Sequence, residues 1–303
     1  MTSVGTISEN SVSQELEIFI REAEDIPTIP ESLIQIMRVL DDPDSGPSDL
    51  AEVVRLDSPL MSKILRLANS PYYNQKGNLS DINRCVGVLG YRTVRQMAIS
   101  VSVATSLVSA VASSGGSLDY RELWRHSVVT GAMAKELAIV TGYSDPEEVF
   151  MVGLLHDIGK FILEIHDPVR YDGLIASRSQ NGRSLIEMEH EEFGFDHAAI
   201  AGAFAKVWFL PELFAFTLSA HHETTPEKTI RGSREHALAL LQLADYLANT
   251  MSPVNSDLGF DPRLFDPVAL NHAAGISIAD LEGCLDCLRN SVDSASAYLS
   301  LEQ

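Results

Sequence analysis

The sequence predicts an all-α fold. Three observations point there. Apolar residues recur at spacings of three and four, as on the buried face of a helix. No run of useful length alternates apolar and polar residues as a half-buried strand would; stretches such as VSVA sit inside helical context. Helix start and stop residues punctuate the chain at helix-length intervals.

Taken in order, Leu16, Phe19 and Ile20 form the first apolar face. Leu33, Ile34, Met37 and Leu40 form the next, entered through Pro30-Glu31-Ser32. Asp57-Ser58-Pro59 reads as a helix start with proline in the first turn, leading into Leu60, Ile64, Leu65 and Leu67. Ser80 is the expected cap of a short helix through Val88, stopped by Gly90. A long helix follows over about 91–111. Ser113–Ser117 is the clearest linker. Beyond it, helices are expected near 119–141, 146–158, 167–179, 184–193, 196–208, 211–222 and 233–250, separated by Thr141-Gly142, Asn181-Gly182 and Pro211. A loop over 251–263 and a last helix near 277–298 complete the chain. The expected organisation is a tail and first helix (1–23), an N-terminal helical half (24–115), a second helical core (116–250) and a loop with a C-terminal helix (251–303).

Composition narrows the function. With 22 basic and 42 acidic residues the net charge is −20, which argues against nucleic acid or an anionic membrane as partner, because phosphate surfaces need cations. The three cysteines are too few and odd in number for a disulfide scaffold, and suggest a reducing compartment. Cys284 and Cys287 read as ordinary helix residues. The N-terminus lacks the basic start and apolar centre of a signal peptide. Gln96–Leu118 is uncharged and has the length of a membrane span, but five serines and threonines dilute it and the 113–116 break interrupts it. A buried core helix in a cytoplasmic protein is the expectation.

All nine histidines lie beyond residue 120. GLLHDIGK, residues 153–160, places His156 beside Asp157. Adjacent helical side chains point about 100° apart, so the two can share a metal only near a helix end, and Gly159 is a plausible end. His126 sits on a crowded apolar face, with Glu122 one turn before it; it reads either as a satisfied core histidine or as a ligand. His197 follows a capping Asp196, and His221-His222 closes a helix. Asp245 lies among Leu240, Leu241, Leu243, Ala244 and Leu247, where an unpaired carboxylate is costly and needs a metal, an arginine or a helix end. Nitrogen and carboxylate donors suit iron, manganese, zinc, nickel or cobalt rather than calcium. His190, between Glu187, Glu189 and Glu191, reads as part of a solvated face.

The order His126, His156-Asp157, His197, His221-His222, Asp245 resembles the HD-domain superfamily of metal-dependent phosphohydrolases. The segment IPTIPESLIQIMRVLDDPDSGPSDLAEVVRLDSPLMSKILRLANSPYY, followed by LGYRTVRQMA, LWRHS and GLLHDIGK, is similar to the HDOD family, the HD-related output domains of bacterial signalling proteins; the likeness covers roughly residues 24–250. It implies an HD-domain-like helical core preceded by an N-terminal helical bundle. It further implies one or two divalent transition metal ions, with iron, manganese and zinc the leading candidates. His126, His156, Asp157 and Asp245 would hold the first, and Asp157 would bridge to a second on His197 and His221. His222 and Glu122 are near-site candidates. Lys160 would face a substrate phosphate; its alternative is a solvated lysine at a helix C-terminus. The chain departs from the related cyclic-dinucleotide phosphodiesterases after the histidine pair: HHETTPEKT has no downstream Asp-Gly and no Gly-Tyr-Pro, and it brings Glu223 and Glu227 near a site meant for phosphate.

Two functions follow as expectations. One is a signalling output module that works by binding a signalling protein or a small phosphate-containing ligand. The other is an active metal-dependent phosphohydrolase of a nucleotide or small phosphoester, with Asp157 and Lys160 as its catalytic residues. The N-terminal half is expected to cover or sense the core, with Asn69, Tyr72 and Tyr73 fixing a turn against it.

Overall fold

The computed structural model describes residues 9–73, 78–181, 183–225, 229–251, 266–294 and 298–299. Among these are sixteen α-helices and no strand. The N-terminal half holds α1 (Glu9–Glu22), α2 (Glu31–Asp41), α3 (Pro47–Leu56), α4 (Ser58–Ala68), α5 (Ile82–Leu89) and α6 (Tyr91–Ser113). After the linker come α7 (Tyr120–Thr141), α8 (Pro146–Leu155), α9 (Ile158–His166), α10 (Pro168–Asn181), α11 (Leu185–Phe193), α12 (His197–Val207), α13 (Glu212–Ala220) and α14 (Arg234–Met251). Two further helices, α15 (Pro267–Ala273) and α16 (Ile278–Ser294), close the chain. The expected 251–263 loop falls, from residue 252 on, outside the described residues, as does Glu227.

Asp57 caps α4 as its sequence predicts, its side chain accepting from the Leu60 amide. The α5 cap is Asp81 rather than Ser80: the Asp81 carboxylate takes the Arg84 N–H at 3.0 Å. α6 is, among the described residues, the helix with the length and apolarity to cross a membrane, and two-thirds (67%) of that window is buried. Its serines do not oppose burial, because Ser100 and Ser102 donate to the Met97 and Ala98 carbonyls at 2.9 and 2.8 Å.

The N-terminal half is tied to the core by its apolar residues and by one turn. Leu33, Ile64 and Ile99 belong to the same buried cluster as Trp124, Leu154 and Ile162. Asn69 pins the following loop, donating to the Leu65 and Leu79 carbonyls and accepting from the Leu79 amide. Tyr72 then lies against Phe150, and Tyr73 donates to Glu147 at 3.1 Å.

The core departs from expectation at its most informative point. The helix expected over 146–158 ends at Leu155, and a separate helix starts at Ile158. The cause is local. The His156 ring bonds the Gly153 carbonyl at 2.7 Å, and Asp157 turns out of helical geometry (φ −97°, ψ 10°). Gly159 is therefore no helix stop. It lies inside α9, where a β-carbon would stand 1.9 Å from the His197 carbonyl oxygen. A second close approach joins α7 to α8: a β-carbon on Gly153 would lie 2.6 Å from the Gly131 Cα. These contacts set the positions of His126, His156 and His197.

Candidate metal centre

Six helix-borne segments converge on Asp157. Three of the ligand candidates stand at helix ends. His156 follows the last turn of α8, His221 follows α13, and His197 opens α12 behind its cap Asp196. His126 and Asp245 come from the interiors of α7 and α14. All of these residues are at most 5% exposed.

The two oxygens of Asp157 face different neighbours. On the Oδ2 side, His156 Nε2 lies at 3.2 Å and His126 Nε2 at 4.0 Å. Asp245 Oδ1 stands 2.9 Å from His126 Nε2 and 3.7 Å from His156 Nε2, and Asn249 donates to that same oxygen at 2.9 Å. Lys160 donates to Asp157 Oδ2 at 2.7 Å. On the Oδ1 side, His197 Nε2 is at 3.4 Å and His221 Nε2 at 3.8 Å. His222 Nε2 is 2.9 Å from His197 Nε2.

Hydrogen bonds on the far ring nitrogens orient three of these imidazoles. His156 Nδ1 donates to the Gly153 carbonyl and His221 Nδ1 to the Leu218 carbonyl, each at 2.7 Å. His197 Nδ1 donates to Glu189 Oε2 at 2.6 Å. A carbonyl or carboxylate oxygen can only accept, so each Nδ1 carries the proton. In the neutral ring the Nε2 lone pair then faces Asp157, the tautomer that metal-bound histidines adopt.

Electrostatics follow the same layout. Burial by itself raises the Asp157 carboxyl, but His156 and Lys160 outweigh it and hold the group well below the usual carboxylate range. Burial likewise raises Asp245, and the His126 hydrogen bond reverses the shift to a net lowering. Burial, with the neighbouring His221 and His197, holds His222 well below the ordinary imidazole value, so its ring is neutral.

The residues fit a divalent transition metal. Asp157 Oδ1 and His221 Nε2 are buried without a hydrogen-bond partner, and these two potential donor atoms lie 3.8 Å apart. Asp157, His197, His221 and His222 offer donors within 4.8 Å of one another, as do His126, His156 and Asp157. Imidazole nitrogens with carboxylate oxygens are the donors that zinc, iron, manganese or cobalt prefer.

Not every candidate joins the cluster. Glu122 turns away from it, and its half-exposed carboxylate takes Arg125 in an ion pair at 2.9 Å. Lys160 is 5% exposed rather than solvated, and lies in the first turns of α9 rather than at a helix C-terminus. Glu223 points to solvent. One buried group escaped the sequence reading. Glu189, placed on a solvated face above, is 0% exposed and bonds His197 and the Tyr171 hydroxyl. A signal existed: Leu185, Met188 and Glu189 share one helical face. His236 stands apart from the cluster, where it accepts from the Gly232 amide and bonds the Ala274 carbonyl.

Comparison with known proteins places this geometry in a family. The sequence pattern of the HDOD domain matches residues 26–224. An uncharacterized protein of Treponema pallidum (strain Nichols) is 27% identical over 200 residues, which is 66% of this chain and 38% of that protein; the chain therefore spans well under half the length of that relative. An HDOD domain protein of unknown function from Geobacter sulfurreducens shares the fold with a TM-score of 0.74 at 23% identity, over 95% of this chain and 99% of the other. A Shewanella amazonensis SB2B protein, provisionally called a phosphohydrolase, superposes with a TM-score of 0.72 at 23% identity, over 95% and 98% of the two chains. A Marinobacter aquaeolei VT8 protein, provisionally called a signal transduction protein, gives 0.75 at 19% identity, over 98% of this chain and 67% of that one.

Proposed function

Because the chain belongs to the HDOD family, we propose that it is a cytoplasmic bacterial signalling module whose buried centre holds one or two divalent transition metal ions. One observation carries the metal: three imidazoles, each with Nδ1 committed to a protein acceptor, turn Nε2 toward the two oxygens of a single buried carboxylate. His126, His156, Asp245 and Asp157 Oδ2 would hold one ion. Asp157 Oδ1, His197, His221 and His222 would hold the other. In this reading residues 24–115 sense or cover the core at 116–250, through α6 against α8 and α9. The output is binding of a signalling protein or a small phosphate-containing ligand.

Active phosphoester hydrolysis is the second reading. The sharing of Asp157 by two donor groups favours it. A metal pair of this kind, when bound, lowers the pKa of a water and stabilises the oxygens of an in-line displacement. The chain's own contribution is a buried, charged cluster with Asp157 and Lys160 as its catalytic candidates. Lys160, however, is committed to Asp157 rather than extended toward a ligand. This favours the signalling reading.

Elemental analysis of untagged protein, before and after reconstitution, tests the metal. Absence of bound transition metal in both would remove it. A phosphoester screen on the loaded protein separates the two functions, and turnover lost in both Asp157→Ala and Lys160→Ala would establish the hydrolase.

A further inference from the structure

Glu189 presents an unusual accounting problem. It is a fully buried carboxylate whose three hydrogen-bond donors are the Tyr171 hydroxyl (2.8 Å, to Oε1) and two N–H groups of His197, the backbone amide (2.9 Å) and Nδ1 (2.6 Å), both to Oε2. None is an ammonium or a guanidinium. A buried anion without a cation is costly. The compensating charge has one direct route, through the imidazole, because the opposite edge of the same ring faces Asp157 Oδ1 at 3.4 Å. With Nδ1 protonated, a neutral His197 turns its Nε2 lone pair toward Asp157 Oδ1, which cannot donate, and His222 Nε2 at 2.9 Å is the N–H within reach of it. A cation held between His197 and Asp157 supplies that charge.

We propose that Glu189, oriented by Tyr171, is a positioning residue that selectively sets the affinity of the ion on the Oδ1 side of Asp157. The inference rests on the metal reading above and adds a division of labour to it. The carboxylate fixes the His197 tautomer and rotation and raises the basicity of Nε2. The Oδ2 side has no such support: His126 Nδ1 is buried without a partner, and His156 Nδ1 is backed by a neutral carbonyl. Glu189 therefore acts on one ion and leaves the other alone. Tyr171 is itself 0% exposed, so its hydroxyl holds the carboxylate in one rotamer.

The test is a cobalt(II) titration of metal-free protein, followed by visible absorption and by metal per chain. His221→Ala identifies the Oδ1-side ion as the one it abolishes. For that ion, Glu189→Gln is expected to weaken binding roughly 10- to 100-fold. The amide keeps the shape and can still accept from His197, but lacks the charge. Binding on the Oδ2 side stays unchanged. Tyr171→Phe is expected to shift the same ion in the same direction by a smaller factor, and it decides the matter if Glu189→Gln fails to fold. Unchanged affinity for the Oδ1-side ion overturns the proposal while leaving the metal reading intact. Equal weakening of both ions overturns it in favour of a general structural role. A wild-type protein that binds no ion sensitive to His221→Ala removes the proposal together with the Oδ1 half of the metal reading.

Discussion

The two sides of Asp157 are built from similar side chains and satisfied in different ways. On the Oδ2 side the protein supplies its own cation: Lys160 donates to the carboxylate, and His126 is paired with Asp245. On the Oδ1 side Asp157 Oδ1 and His221 Nε2 have no hydrogen-bond partner. One side can exist as an internal ion pair. The other calls for a charge from outside the chain. Similar residue types are thus satisfied differently by the chain itself, because its one lysine here stands on the Oδ2 side.

The severest way to break this comparison is to remove the residue both sides share. Asp157→Ala should abolish metal loading on both sides and leave Lys160 buried without its carboxylate, a loss of about 3–5 kcal/mol. Elemental analysis and denaturant unfolding of the metal-free protein read the two effects. Gly159→Ala should act unequally on the two sides. Its methyl group would collide with the His197 carbonyl, so α9 must move away from α12. The expected cost is roughly 1–3 kcal/mol, and metal loss should be greater on the Oδ1 side than on the Oδ2 side.

Chelation should come next in size. A ligand present at 100 times its dissociation constant stabilises the fold by about 2.7 kcal/mol, so removing metal should lower the melting temperature. Calorimetry should show that response flattened in Asp157→Ala and retained in His190→Ala, where the side chain is exposed. Equal chelator sensitivity in the wild type and Asp157→Ala would place the metal elsewhere.

The smallest effect contrasts the paired carboxylates with an unpaired one. Asp157 and Asp245 lie below the ordinary carboxylate value in the fold. Their stabilisation is present above the unfolded pKa of about 4 and is lost as pH falls through their depressed folded values. Glu164 is shifted the other way: burial pushes it up to about 7, although the Leu118 amide donates to it. Its ionised form is disfavoured by folding, so the full cost applies above pH 7 and is relieved as pH falls toward the ordinary 4.5. Glu164→Gln should raise the urea midpoint of metal-free protein at pH 8 and flatten its change between pH 5 and 7. An unchanged profile would show that another group titrates there.

Much of the centre was legible residue by residue. Asp245 stood out because a carboxylate amid leucines demands a partner, and His156-Asp157 because their adjacency requires a helix end. Glu122 was misplaced for an equally physical reason: spacing of four puts two residues on neighbouring positions of a helix, but a nearby Arg125 redirected the side chain. Glu189 was hidden by the acidic residues around it, which give the segment a solvated composition while one of them turns inward. The break before α9 was hidden because α8 is apolar all round, with Val149–Leu155 buried, which erases the periodicity that would mark its end.

Local chemistry therefore determined the all-α class, the cap at Asp57, the burial of the uncharged α6 and the need of Asp245 for a partner, since each depends on helical spacing or on the cost of burying a polar group; the full set of convergent histidines and aspartates was implied by the family resemblance. Tertiary structure decided which oxygen of Asp157 each ligand faces, which tautomer His156, His197 and His221 hold, that Lys160 is an internal counter-ion, and that Glu189 stands behind His197. Those outcomes depend on backbones meeting across α7 and α8, and α9 and α12, at glycines whose missing β-carbons become meaningful only when the opposing helix is in place.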